Sequence, residues 1–362
     1  MIAAILIVLA AAYMLWKLLA FKQAEKQTSE PWKNNDTKDA VLDDLRDSEI
    51  EPLNDLDYTK VPPIQYRPFL TMPHVSMGIK KMSRNEWIRI DRGYMNRIKE
   101  RQMVMREHAA DAIGTSDIVN PAIAELYEAI MINHLPYRFP TIFRVEGTRL
   151  LNLVTGKSHS INLQELSHAE MLQNLGESVE EDFYIMCPDE EGEIRLQGYI
   201  ACFPGGFLSR AKVGMSMREI HQPVPGYAER IGKGADRHLQ RLAPGNYIER
   251  MNWSLQVDGS DLFRLDGNNY YPGLGEEIPE EEQRVDLSTS YLRVEHQTLN
   301  RLPKSLAVIF CVRSYLTSLE DIRNEGNGPS LLSAIKSMPE KLGDYKKRPF
   351  WCKAVYEYLG AQ

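Results

Sequence analysis

Two long stretches of alternating side chains, Tyr291 to Thr298 and Leu306 to Leu316, constrain this chain more than any other feature. In an extended strand, successive side chains point to opposite faces. The first stretch then carries Arg293, Glu295 and Gln297 on one face, with Leu292 and Val294 on the other. The second carries Ala307, Ile309, Cys311, Arg313 and Tyr315 on one face, with Leu306, Val308, Phe310 and Val312 opposite. The connection from Leu299 to Ser305 is short enough for a hairpin, so the two read as antiparallel neighbours. If their polar faces coincide, Arg293, Glu295, Gln297, Arg313 and Tyr315 converge on one patch. That patch is either a solvated face, with ion pairs worth little, or a pocket. In a pocket, Glu295 would hold a cationic amine and the arginines would hold carboxylates.

The rest of the pattern supplies more strands and the helices around them. Phe183 to Cys187 and Ile194 to Phe203 read as strands across the acidic turn 188–193. Tyr247 to Gln256 reads as another, with Met251, Trp253 and Leu255 on one face and Arg250, Asn252 and Ser254 on the other. Ser83-Arg84-Asn85-Glu86 is a capping box, which predicts a helix running to about Ala112. Asn120-Pro121 opens a second helix with Ile123, Leu126, Tyr127, Ile130 and Met131 at helical spacing, and Pro136 ends it. The prolines and glycine of Ile220 to Tyr227 fix a rigid turn. A helix from Glu229 to Leu242 follows, stopped by Pro244-Gly245, and the chain returns to helix after Ser318. This order predicts an α+β fold with a mainly antiparallel sheet and flanking helices.

The N-terminus is of another kind. Met1 to Trp16 contain no charged side chain, Lys17 interrupts, and Leu18 to Phe21 resume the apolar run. About 20 apolar residues span a bilayer core, so residues 1–21 are expected to form one transmembrane helix. Lys17 would snorkel to the headgroups, with Tyr13 and Trp16 at the interface. A cleaved signal peptide is the alternative, with Ala10-Ala11-Ala12 for cleavage, but basic residues are missing before the run. Lys17, Lys22 and Lys26 follow the apolar start instead, which places the remainder on the cytosolic side, with the endoplasmic reticulum the expected membrane. Residues 22–60 are acid-rich and short of large apolar side chains, and are expected to be a disordered linker before a domain at 61–362.

The net charge of −7 gives no reason to expect nucleic acid. Cys187, Cys202, Cys311 and Cys352 are scattered without a CxxC pair, so a zinc site of the usual spacing is not expected. Cys202 and Cys311 lie in apolar runs and are expected to be buried thiols. No strand is followed by GxGxxG, and no GxSxG elbow occurs. His221, in the rigid turn before a helix, is either an ordinary loop histidine or a metal ligand. No CxxCH is present, so any haem would be held non-covalently.

Five stretches carry a resemblance: YRPFLTMPHVSMGIKKMSRNEWIRIDRGY, HLPYRFP, IHQPVPGYAERIGKGADRHLQRL, ERMNWSL and LRVEHQTLNRLPKSLAVIFCVRSYL. In that order, over about residues 64 to 320, the chain resembles the haem-dependent oxidative N-demethylase alpha-subunit-like family. The resemblance implies a PAS-like sheet holding haem b. It implies oxidation of a methyl group on a small secondary amine such as dimethylamine, giving primary amine and formaldehyde. Molecular oxygen is the oxidant, and electrons come from a separate nicotinamide- and flavin-dependent reductase. His221 matches the family's histidine in its PVPG turn and is the implied iron ligand. Arg250 and Asn252 would touch the cofactor, and Glu295, Arg293, Arg313 and Tyr315 would be catalytic. Where this chain has His296, the family more often has arginine, which removes a permanent charge. The alternative is a non-catalytic PAS-like sensor of haem or a small molecule. Deleting residues 1–21 is expected to release the protein from membranes without abolishing haem binding, read by fractionation and by absorption spectrum.

Overall fold

A computed structural model of the protein describes residues 50–70, 74, 76–207, 209–270 and 285–360. The expected span at residues 1–21 and the linker as far as residue 49 lie outside the described residues. Among the described residues, no helix is long and apolar enough to cross a membrane. Packing begins earlier than the expected domain start at residue 61. The Leu53 N–H donates to Arg138 O at 2.9 Å, Glu51 N to Asn85 Oδ1 at 2.9 Å, and Asp57 caps a turn at Tyr58–Lys60. These backbone bonds, with Leu53 and Leu56 against the core, order a segment whose composition alone looks like linker.

The fold is α+β. The ten strands among the described residues are β1 Lys80–Met82, β2 Ile113–Gly114, β3 Phe143–Glu146, β4 Arg149–Asn152, β5 Ser158–Ser160, β6 Asp182–Pro188, β7 Ile194–Ile200, β8 Tyr247–Gln256, β9 Tyr291–Arg301 and β10 Val308–Ser318. Seven form one sheet in the order β1-β8-β9-β10-β6-β7-β2, and β3-β4-β5 form a small second sheet. All neighbours pair antiparallel. Among the described residues six helices reach eight residues: α1 Tyr94–Glu107, α2 Asn120–Tyr127, α3 His168–Gly176, α4 Lys233–Arg241, α5 Gly328–Lys336 and α6 Arg348–Gly360.

Several expected elements begin elsewhere. Ser83 caps only a single turn, Arg84–Glu86, and the helix starts at Tyr94, where Asp91 Oδ1 accepts the Gly93 N–H at 2.8 Å. Between them Trp87, Ile88 and Ile90 are buried in an irregular segment, so their side chains serve the core without helical spacing. The α2 helix runs on as a π-helical turn, Glu128–Ile132, and Pro136 sits at the start of a further short helix, Leu135–Arg138, rather than ending the first. A π-helical turn, Ala228–Gly232, likewise precedes α4.

The large sheet has two covered faces. On the back face, the N-terminal helices bury Trp87, Tyr94, Ile98, Leu126 and Leu172 against Phe183, Ile185, Ile309 and Cys311. Leu331, Ile335, Trp351 and Val355 of α5 and α6 pack on Leu255, Leu292 and Val294 of the same sheet. The front face is covered by the crossover from β7 to β8, residues 201–246. Its Leu239, Leu242, Met217, Ile220 and Phe207 pack on Tyr184, Met186, Ile248, Leu299, Val308 and Val312.

One buried ion pair ties these layers together. Arg101, on the inner stripe of α1, donates to Asp182 Oδ1 at 2.6 Å and to the carbonyls of Gly176, Glu180 and Glu181. Asp182 in turn accepts the backbone N–H groups of Cys202 and Phe203, each at 2.8 Å. Both side chains are almost wholly buried, at 0% and 1% exposure. Removing one partner leaves the other charge buried and unpaired, at a cost of about 3–5 kcal/mol. Arg101→Met is therefore expected to lower unfolding stability by about that amount, measured from urea midpoints. A loss below about 1 kcal/mol, the worth of an exposed pair, would contradict this role.

Candidate functional site

The register of β8, β9 and β10 decides which predicted residues meet. Glu295 lies opposite Asn252 and Ser314, Arg293 opposite Ser254 and Leu316, and Gln297 opposite Arg250 and Val312. Arg313 lies opposite His296, and Tyr315 opposite Val294. Paired residues in an antiparallel ladder share a face. Arg250, Asn252, Arg293, Glu295 and Gln297 therefore stand on the front face, and Arg313 and Tyr315 on the back. The single convergent patch expected from the alternation does not form; the sheet divides it in two.

On the front face Glu295 is the hub. Its Oε2 accepts from Asn252 Nδ2 at 3.2 Å and Gln297 Nε2 at 2.9 Å, while Oε1 lies 3.9 Å from Arg293 Nε. Arg250 donates to Gln297 Oε1 at 2.7 Å and to Met77 O at 2.9 Å. Arg293 is fully buried and spends its donors on Phe203 O, Gln256 Oε1, Leu262 O and Ser314 Oγ, which fastens the start of the crossover to the sheet. Gly205 passes so close that a Cβ there would sit 2.5 Å from Glu295 Oε1, so any other residue at this position would push the carboxylate aside.

Two lysines absent from the sequence reading also belong here. Lys212, at the end of the turn Ser209–Lys212, sets Nζ 3.8 Å from the centre of the Phe207 ring. Lys346 donates to Trp253 O at 2.6 Å, on the open edge of β8 beyond β1. Burial pushes both ammonium groups down to about 8, and Glu295 pulls each back. Arg250 and Arg293 are likewise lowered by burial and opposed by Glu295. Four cations thus act on one carboxylate. No local pattern announces either lysine; both arrive from segments remote in sequence.

His221 closes the site from the crossover. It follows the short helix Met217–Ile220, which a Ser216–Glu219 capping box starts. Its Nδ1 is 2.8 Å from Met217 O, and its ring stacks on Tyr227 at 4.5 Å and 11°. Burial drives the imidazole down to about 4, and the charges of Lys212 and Arg250 push the same way. His221 is therefore neutral at pH 7. With Nδ1 donating to the carbonyl, Nε2 is the nitrogen left to act as a ligand.

The back-face residues form a different device. Arg313 Nη2 donates to Asp91 Oδ2 at 2.7 Å and Glu180 Oε1 at 2.8 Å, while Nη1 reaches Arg89 O and lies 3.4 Å from Glu181 Oε1. Tyr315 meets Tyr66 edge-on, and Tyr66 stacks on His296, whose Nε2 is 2.9 Å from Glu249 Oε2. A cavity of about 850 Å³, lined by Pro62, Arg67, Arg92 and Tyr315 among others, opens on this side. It is separate from Glu295 and His221. Arg313 is thus a buried structural charge, and Tyr315 packs beside it rather than in the front-face site. Cys187, Cys202 and Cys311 are buried free thiols.

Residues 78–356 match the family described as haem-dependent oxidative N-demethylase, alpha subunit-like. The chain belongs to that family. The match spans the sheet, the crossover and the C-terminal helices, so both faces lie within it. The family description ties the chain to haem-dependent oxidative chemistry of the N-demethylase type.

The Arg313 cluster generates a pH prediction. Burial raises Glu180 from 4.5 to about 7; Arg313 opposes this, and Asp91 and Glu181 add to it. Between those values the folded chain keeps a proton that the unfolded chain has lost, so this group makes stability fall as pH rises through the window. Glu180→Gln cannot lose that proton and is expected to flatten the fall, read from urea midpoints at about pH 5, 6 and 7. An unchanged slope would show that Glu180 does not carry it.

Proposed function

We propose that the chain is the haem-binding component of an oxidative N-demethylase, with haem b seated between the front face of the sheet and the crossover 201–246. The observation that carries this reading is His221. It is a neutral imidazole whose Nδ1 is engaged by a backbone carbonyl, held under the crossover beside the polar face of the sheet. That is the donor chemistry a haem iron takes from a proximal histidine. Arg250 lies close enough to add its charge, and Phe207 and Tyr184 supply apolar ring surface. A seven-strand antiparallel sheet with its helical crossover over one face also supports the PAS-like reading of the fold.

When bound, haem supplies oxygen activation at its iron, and the protein supplies position and electrostatics. His221 fixes the ligand side. Asn252 and Gln297 hold the Glu295 carboxylate so that Oε1 faces Gly205 and the crossover. Arg293 locks the crossover to the sheet and keeps water from the buried end of the site. The substrate in this reading is a small N-methylated amine, demethylated with release of formaldehyde. Electrons arrive from a separate nicotinamide- and flavin-dependent reductase, and residues 1–21 tether the assembly to the cytosolic side of a membrane.

Purified chain titrated with haem is expected to develop a Soret band, shifted and weakened by His221→Ala. A chain that stays colourless under reconstitution would overturn the reading. Formaldehyde released from dimethylamine, with oxygen and reductant present, separates an enzyme from a haem sensor.

A further inference from the structure

The front-face site carries more positive charge than Glu295 can balance, and that surplus is unevenly shared. Arg250, Arg293, Lys212 and Lys346 all feel Glu295. Three of them have hydrogen-bond acceptors in the fold: Arg250 donates to Gln297 and Met77, Arg293 to four acceptors, and Lys346 gives one donor to Trp253 O. Lys212 differs. Its ammonium rests over the Phe207 ring and has no hydrogen-bond acceptor among the described residues. An ammonium carries three donors, and this half-buried one is left able to give them to a ligand. Glu295, the nearest negative charge, already accepts from two amides and lies beside Arg293.

We infer that Lys212 is a specificity-determining residue of this site, whose ammonium binds a carboxylate carried by the ligand. This rests on the front face being the ligand site, and it revises what that ligand can be. A simple protonated amine would enter a field in which four cations face the single Glu295 carboxylate. A carboxylate would meet, in Lys212, an ammonium with no acceptor among the described residues. Two sources share that chemistry: a propionate of the haem, or a carboxylate on an N-methylated amino acid substrate.

The test uses the full chain without haem first. Propionate is expected to raise the thermal unfolding midpoint of the wild type and of Lys212→Arg, but not of Lys212→Met, while propylammonium has no effect. Equal responses to propionate in the wild type and Lys212→Met, or stabilisation by propylammonium instead, would overturn the inference. Haem and its dimethyl ester are then titrated by quenching of tryptophan fluorescence. If the ester binds the wild type about tenfold more weakly than haem, and Lys212→Met erases the difference, the carboxylate is a propionate. If ester and haem bind alike, the carboxylate is the substrate's, and sarcosine must then bind about tenfold tighter than dimethylamine to the wild type alone. Absence of both differences counts against Lys212. Failure to bind haem at all sinks the haem reading, while the propionate result still stands or falls by itself.

Discussion

The contact between Arg101 and Asp182 is the interaction on which the rest of the molecule depends. Arg101 gathers the end of α3 and the two residues before β6 onto α1 through three carbonyls, then neutralises Asp182 at the first position of β6. Asp182 passes the connection across the sheet by accepting Cys202 and Phe203 N–H groups. Phe203 O then receives Arg293 of β9. Back-face helix, central strand, crossover and site are thus joined by one line of charged and backbone hydrogen bonds. In a water-free interior, each link is costly to leave unmade.

The alternation of β8, β9 and β10 was legible because period two is a local property of sequence. The β8 bounds, Tyr247–Gln256, coincide with those read from the pattern, and the antiparallel α+β arrangement follows from it. Register is not local. A one-residue difference in pairing moves every side chain of a strand to the other face. Placing Arg313 opposite His296 rather than Gln297 is enough to send it and Tyr315 away from Glu295. What fixes that choice is burial on both faces: Cys311 must meet Trp87 at the back while Val312 meets the Tyr184 cluster in front.

Other features escaped for different reasons. Lys212 and Lys346 reach the site from a short turn and from the C-terminal region, and nothing in their neighbours marks them. The helix signal at Ser83 was sound as cap chemistry, yet the chain spent it on one turn because Trp87 and Ile88 are buried immediately afterwards. His221 was legible as a constrained histidine, since the prolines after it define a turn. Its neutral state was not, because that comes from burial and from cations supplied by distant segments.

The clamp formed by Asp182 and Arg293 recognises the start of the crossover only through main-chain atoms: two N–H groups and one carbonyl. Main-chain groups are the same whatever side chains the segment bears. The clamp itself is therefore indifferent to the side chains at 202 and 203; what limits them is their burial in the core, as the left-handed backbone limits Gly206 and the Tyr184 contact limits Phe207. Fastening and packing are thus divided between two parts of the same residues: the main chain carries the attachment, and the side chains carry the fit.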